Sequence, residues 1–190
     1  MNLPNRLTLL RLVLVLPFVA ALSLEFTGSK ALALFIFLAG TATDYADGFI
    51  ARKFQLITDF GRLMDPLVDK MMTVAAFICL VALHSIPAWT VITIVSREFL
   101  ITGLRLVAAS RGLVLSAERL GKHKTAWQML TIIYYLLFLT VKELVPQDLS
   151  RLTLINLERI GAALLAVTVS LTLVSGLTYL VRHWTLFREN

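Results

Sequence analysis

The stretch TDYADGFIARKFQLITDFGRLMDPLVDK, residues 43–70, decides how the chain folds. It carries Asp44, Asp47, Asp59, Asp65 and Asp69, five of the twelve acidic residues, within 26 positions. Its surroundings are the opposite. The chain has 190 residues, of which 58% are apolar, against roughly 45–50% in ordinary soluble domains. Its mean hydropathy is +0.81. Residues 12–24, 31–43, 71–96, 125–141 and 160–181 contain no Asp, Glu, Lys or Arg. A helix needs about 20 mainly apolar residues to cross a bilayer, so the composition predicts an all-α polytopic membrane protein.

The charge-free run 71–96 is too long for one span. It contains HSIPA at 84–88, where Pro87 suits a turn better than a helix interior. Splitting it there gives six expected spans near 6–24, 31–52, 63–83, 87–109, 123–142 and 159–181. No strand pattern competes, and lipid-exposed open strands would leave backbone groups unpaired. No repeat or linker is evident, so residues 1–190 read as one domain. Arg6 followed by an apolar run and AALS looks like a signal peptide. Arg11 within the run, and five more spans after it, make it a first membrane helix. The second run is apolar only to Thr43 and reaches spanning length by including Asp44 and Asp47.

With both termini on one side, that side holds 13 of the 18 Lys and Arg residues. The other holds Lys30, Lys142, Arg151 and Arg159, and Arg97 lies within a span. The positive-inside bias predicts cytoplasmic termini and an acidic stretch at the cytoplasmic face of the cell inner (plasma) membrane. The formal charge of +6 suits anionic headgroups or substrates there; no nucleic-acid partner is expected. The single Cys79 excludes an intrachain disulfide and reads as packing.

Asp44 and Asp47 are three apart, Asp65 and Asp69 four apart, so each pair shares a helix face. A short connection near 53–62 brings the two helix ends together. Four carboxylates can then converge at the cytoplasmic mouth. Carboxylates in a span cost about 2.5–3.5 kcal/mol each at the bilayer centre, less near an interface. Something positive must offset that cost and their repulsion. Arg52, Lys53, Arg62 and Lys70 offer ordinary ion pairs; oxygen-only ligation of Mg²⁺ or Mn²⁺ is the alternative. Gly48 permits close approach of a ligand or a helix. Asp59 reads as a turn or cap residue.

The spacing Asp44-x2-Asp47-Gly48-x2-Ala51-Arg52-x8-Gly61-x3-Asp65-x3-Asp69 resembles the signature of the CDP-alcohol phosphotransferases, with all eight fixed positions filled. The resemblance implies a six-helix, usually dimeric membrane enzyme. Such an enzyme moves the phosphoryl-bearing part of a CDP-linked alcohol to another alcohol and releases CMP. It further implies that Asp44, Asp47, Asp65 and Asp69 bind two divalent ions, Mg²⁺ or Mn²⁺, and that Asp69 is the general base. Gly48 and Arg52 would contact the nucleotide, and Thr58 would lie near it.

Three more stretches point to a branch. NLPNRLTLLR (2–11) places Pro4, Asn5 and Thr8 near the cytidine by resemblance; from the residues alone it is an interfacial helix entry with Asn5 as N-cap. In SREFLITGLR (96–105), Glu98 and Arg105 are two turns apart on one face, and Arg97 with Glu98 also reads as a buried organising pair. In GKHKTAWQ (121–128), Lys122 and Lys124 read either as a solvated flank or as a pocket for a substrate phosphate. Together these stretches resemble the branch that makes phosphatidylglycerophosphate from CDP-diacylglycerol and sn-glycerol 3-phosphate, with Arg105, Lys122 and Lys124 at the acceptor. Inositol phosphate or serine is the alternative acceptor. A small cation or proton transporter is the non-enzyme alternative. His84, His123 and His183 do not form a zinc pattern.

Overall fold

The structure is a computed structural model that describes residues 3–24, 26–54, 59–110, 112, 119–145 and 150–182. Within these, the side chains of 3–9, 44–54, 59–67, 69, 119, 120 and 122 stand outside the description. Among the described residues six helices form: α1 (Leu3–Ser23), α2 (Ser29–Phe54), α3 (Asp59–Ala82), α4 (Ala88–Ser110), α5 (Arg119–Leu144) and α6 (Arg151–Arg182). No strand occurs among the described residues. The helix number and the break at HSIPA agree with the sequence reading. The start of α6 does not: it lies eight residues before the expected position. Charge-free runs end at a charge, whereas RLTLINLE (151–158) continues the helix past Glu158 and Arg159 to Arg151 in a mix of Leu, Ile, Thr and Asn.

α1 packs on α2 and α3, α2 on α5, α5 on α6, α6 on α4, and α4 on α3, closing a ring that α3 and α5 bridge. The core is made where these helices face inward, from Phe18, Leu22, Phe37, Phe77, Leu80, Ile94, Ile132 and Leu136, with Ala21, Ala33 and Ala76 between them. The Phe18 and Phe37 rings pack tilted, 5.9 Å apart. Small residues matter here because lipid tails are as apolar as leucine, so helices associate through close packing and interhelical hydrogen bonds. Gly161 lies against the ring of Tyr135, where a Cβ would come within 3.0 Å of the ring.

The outside, unlike that of a water-soluble bundle, is apolar as well, and the interior holds buried hydroxyls beside its apolar core. Leu16 (72%), Phe35 (69%) and Val181 (75%) are exposed, together with many other large apolar side chains. Ser29, Thr131, Thr168, Thr172 and Ser175 are buried. An apolar outer surface on this scale is what lipid covers. Among the described residues, two helical segments, His123–Leu144 and Arg151–Arg182, are long and apolar enough to cross a membrane alone. Leu10–Ser23, Ser29–Thr43 and Lys70–Ala82 are shorter apolar segments. The chain is a membrane protein; in α2 the apolar part ends where the acidic stretch begins.

Polar groups at helix junctions find partners in neighbouring helices. Glu143, at the end of α5, accepts hydrogen bonds from Ser29 Oγ and from the Lys30 backbone N–H, each 3.1 Å. It therefore caps the first turn of α2, where N–H groups lack intrahelical acceptors. Lys30 Nζ donates to the Leu22 carbonyl at 2.8 Å, satisfying the end of α1. The Thr131 and Thr168 hydroxyls meet at 2.8 Å between α5 and α6. α3 ends with His84 at φ 54°, Ser85 N–H on Leu80 O and His84 N–H on Val81 O, both 2.9 Å. This is the paired closure that usually places glycine at that position.

Glu143→Ala removes the cap of α2. It is expected to cost about 0.5–2 kcal/mol, read as a lower thermal midpoint in detergent; an unchanged midpoint contradicts the capping role.

A candidate active site at the α2–α3 junction

Asp44, Asp47, Gly48 and Arg52 lie in the second half of α2, and Asp65 and Asp69 in the first half of α3. From Phe54 to Asp59 the chain spans at most about 19 Å, five Cα–Cα steps. Both helices pack on α1, so covalent geometry keeps the two acid-bearing ends together. Their side chains, and those of Pro4, Asn5, Thr8 and Lys122, lie outside the described residues, as does Thr58 entirely. Among the described residues no group of three or more His, Cys, Asp or Glu side chains gathers as a metal centre. The four aspartates offer only carboxylate oxygens, a donor set that fits Mg²⁺ or Mn²⁺ and not zinc. Asp59 is the first residue of α3, in keeping with a turn or cap position.

Directly after Asp69, the structure shows an ionic cluster inside the bundle. Lys70 Nζ lies 3.2 Å from Glu98 Oε2 and donates to Thr102 Oγ1. Lys124 Nζ donates to Glu98 Oε1, and Arg97 Nη1 is 3.6 Å from the same oxygen. Glu98 is 9% exposed and Lys124 only 2%. One carboxylate thus draws together cations from α3, α4 and α5. Arg97 extends the cluster to α6 by donating to Ser175 Oγ at 3.2 Å. α6 approaches closely there because residue 176 is glycine: a Cβ at that position would lie 2.9 Å from Arg97 Cγ. Among the described residues, three cations meet one anion here, a local positive excess that favours anionic ligands nearby.

The sequence-derived residues therefore separate. Glu98 and Arg105 share a face but not an environment. Glu98 is buried, whereas Arg105 is exposed, with its Nε 3.3 Å from Tyr179 Oη and its guanidinium 5.4 Å from that ring's centroid. Lys124 is not a solvated flank; its ammonium is held by Glu98. Sequence reasoning missed Lys70 as a partner of Glu98, assigning it to the aspartates beside it, because contacts across three helices leave no spacing signal. It also passed over Gln128, which is buried and lines a cavity with Lys70 and Glu98.

Glu98→Gln leaves buried Lys124 without its carboxylate. Breaking a buried pair from one side costs about 3–5 kcal/mol, so a strong drop in thermal midpoint is expected in detergent. Adding Lys124→Met should recover part of that loss through a coupling of about 0.5–3 kcal/mol. Additive effects in this double-mutant cycle would show that the two residues do not act as a pair.

The chain resembles known proteins over nearly its whole length. A family profile described as CDP-alcohol phosphatidyltransferase matches residues 1–174. A protein of Bacillus subtilis called CDP-diacylglycerol–glycerol-3-phosphate 3-phosphatidyltransferase is 38% identical over 195 residues, covering 96% of this chain and 95% of its own. One of the same name from Treponema pallidum is 33% identical, covering 95% and 88%. A probable phosphatidylglycerophosphate synthase of Mycobacterium tuberculosis is 34% identical, covering 95% and 81%. With the eight-residue signature filled and the match running from α1 well into α6, the chain belongs to the CDP-alcohol phosphatidyltransferase family.

Proposed function

We propose that the chain transfers the phosphatidyl group of CDP-diacylglycerol to sn-glycerol 3-phosphate, giving phosphatidylglycerophosphate and CMP. The observation that carries this reading is the complete signature on the adjoining ends of α2 and α3. Relatives aligned across nearly the whole chain and bearing that activity in their names support the choice of substrates.

Asp44, Asp47, Asp65 and Asp69 would hold two divalent ions, Mg²⁺ or Mn²⁺. When bound, such ions neutralise the charge of a diphosphate and stabilise a leaving phosphate. Pro4, Asn5, Thr8, Gly48, Arg52 and Thr58 bind the CDP-diacylglycerol head. Arg105, Lys122 and Lys124 receive the phosphate of the acceptor, and the positive excess around Glu98 supports that assignment. Asp69 takes the proton of the glycerol 1-hydroxyl. The oxygen bonds to the β-phosphorus, on the diacylglycerol side, while the bond from that phosphorus to the bridging oxygen breaks and CMP departs. Positioning and electrostatics supply most of the rate gain, as in phosphoryl transfer generally.

The lysine and arginine distribution supports six spans with both termini and the site in the cytoplasm. The acyl chains stay in lipid, water-soluble glycerol phosphate arrives from the cytoplasm, and the protein acts as a homodimer in the plasma membrane.

CMP release from CDP-diacylglycerol in detergent, with Mg²⁺ or Mn²⁺ and glycerol 3-phosphate, tests the reading against serine and inositol phosphate as acceptors. Asp69→Asn is expected to lose about 10²–10⁴-fold in turnover while still binding CDP-diacylglycerol. Wild-type release from that variant would remove Asp69 as base. Lys122→Ala is expected to raise the apparent KM for glycerol phosphate; a change confined to CDP-diacylglycerol kinetics places its charge elsewhere.

A further inference from the structure

A cavity of about 250 Å³ lies between α3, α4 and α5, next to the ionic cluster. Lys70, Thr73, Glu98, Thr125 and Gln128 line it together with the apolar Phe77, Ile94 and Met129. Gln128 is only 4% exposed, and its Nε2 has no hydrogen-bond partner among the described residues. A buried amide NH₂ without an acceptor is costly. Native proteins seldom keep one unless something outside the chain completes it.

Helical register relates this amide to the residues assigned above. Lys124 and Gln128 are four apart, so they occupy one face of α5 a turn from each other; Asp69 and Thr73 stand in the same relation on α3. The cavity thus lies one turn further along both helices than the groups assigned to the acceptor phosphate and to the reacting hydroxyl. In sn-glycerol 3-phosphate, the carbon between those two ends carries a hydroxyl that takes no part in the reaction. We infer that Gln128 donates through Nε2 to the 2-hydroxyl oxygen of the acceptor, making it a residue that selects a glycerol phosphate over a phosphate ester with one terminal hydroxyl. The inference rests on the acceptor proposed above. It adds a specificity residue to that site and is separate from the transfer step.

The test compares sn-glycerol 3-phosphate with 3-hydroxypropyl phosphate, which keeps the phosphate and the attacking hydroxyl and lacks only the 2-hydroxyl. CMP release from CDP-diacylglycerol is measured with each. Wild-type protein should prefer glycerol phosphate by about 10–100-fold in kcat/KM, because the analogue leaves the amide unpartnered. In Gln128→Leu and Gln128→Met that ratio should fall close to one, with the KM for CDP-diacylglycerol unchanged. The ratio is taken within one preparation, so a loss of folded protein does not move it. Equal use of the two acceptors by the wild type overturns the inference and leaves the proposed function standing. A preference that survives in both variants also overturns it, since a packing role lowers both rates together. A wild type that ignores glycerol phosphate and transfers to another alcohol overturns the proposed function and this inference with it.

Discussion

One buried carboxylate, with the buried Lys124, the largely enclosed Arg97 and the half-exposed Lys70 around it, sets the terms for the rest of the bundle. Glu98 joins Lys70 of α3 to Lys124 of α5, and Arg97 carries the same cluster to α6. An isolated charge in this environment would cost several kcal/mol, so each helix is held in register by the need of its charge for the others. Apolar packing in lipid cannot do this, because leucine gains little by leaving lipid for another leucine. The direction of α3 matters most: Lys70 follows Asp69, so whatever fixes the lysine also fixes the helix turn that carries the proposed base.

The same logic appears at the opposite end of the helices. Glu143 caps α2, and Lys30 closes α1. α2 is thereby tied at its first turn to α5 and, through the short connection after Phe54, at its last turn to α3. From Ala31 to Thr43 it is an apolar rod of small, aliphatic and aromatic residues. A helix so held can present acidic residues in its final turns without relying on those turns for its placement.

Much of this was legible in the sequence, for identifiable reasons. Charge-free runs located all six helices, because a lipid-facing helix must exclude charge along most of its length. Pro87 located the break between α3 and α4. The start of α6 was misplaced because Glu158 and Arg159 interrupt the charge-free run, while the helix continues through them to Arg151. The signature located the candidate site, since fixed spacings along two helices survive in one dimension. The partners of Glu98 did not: Lys70 and Lys124 lie 28 and 26 residues away, and no periodicity links them. Gln128 looked like one more polar residue after a basic flank. Only the absence of an acceptor around its buried amide sets it apart.

Gly176 carries no charge, touches no proposed substrate and lies on the sixth helix, yet it is the surface on which the Arg97 side chain rests. The arginine reaches Glu98 and Ser175 because nothing projects from α6 at that point. In electrostatic terms the glycine is a mould: its missing side chain sets where a positive charge stands inside a membrane. A methyl group there would act as a displacement of charge, felt along the cluster toward Asp69, although the formal charge of the protein would be unaltered.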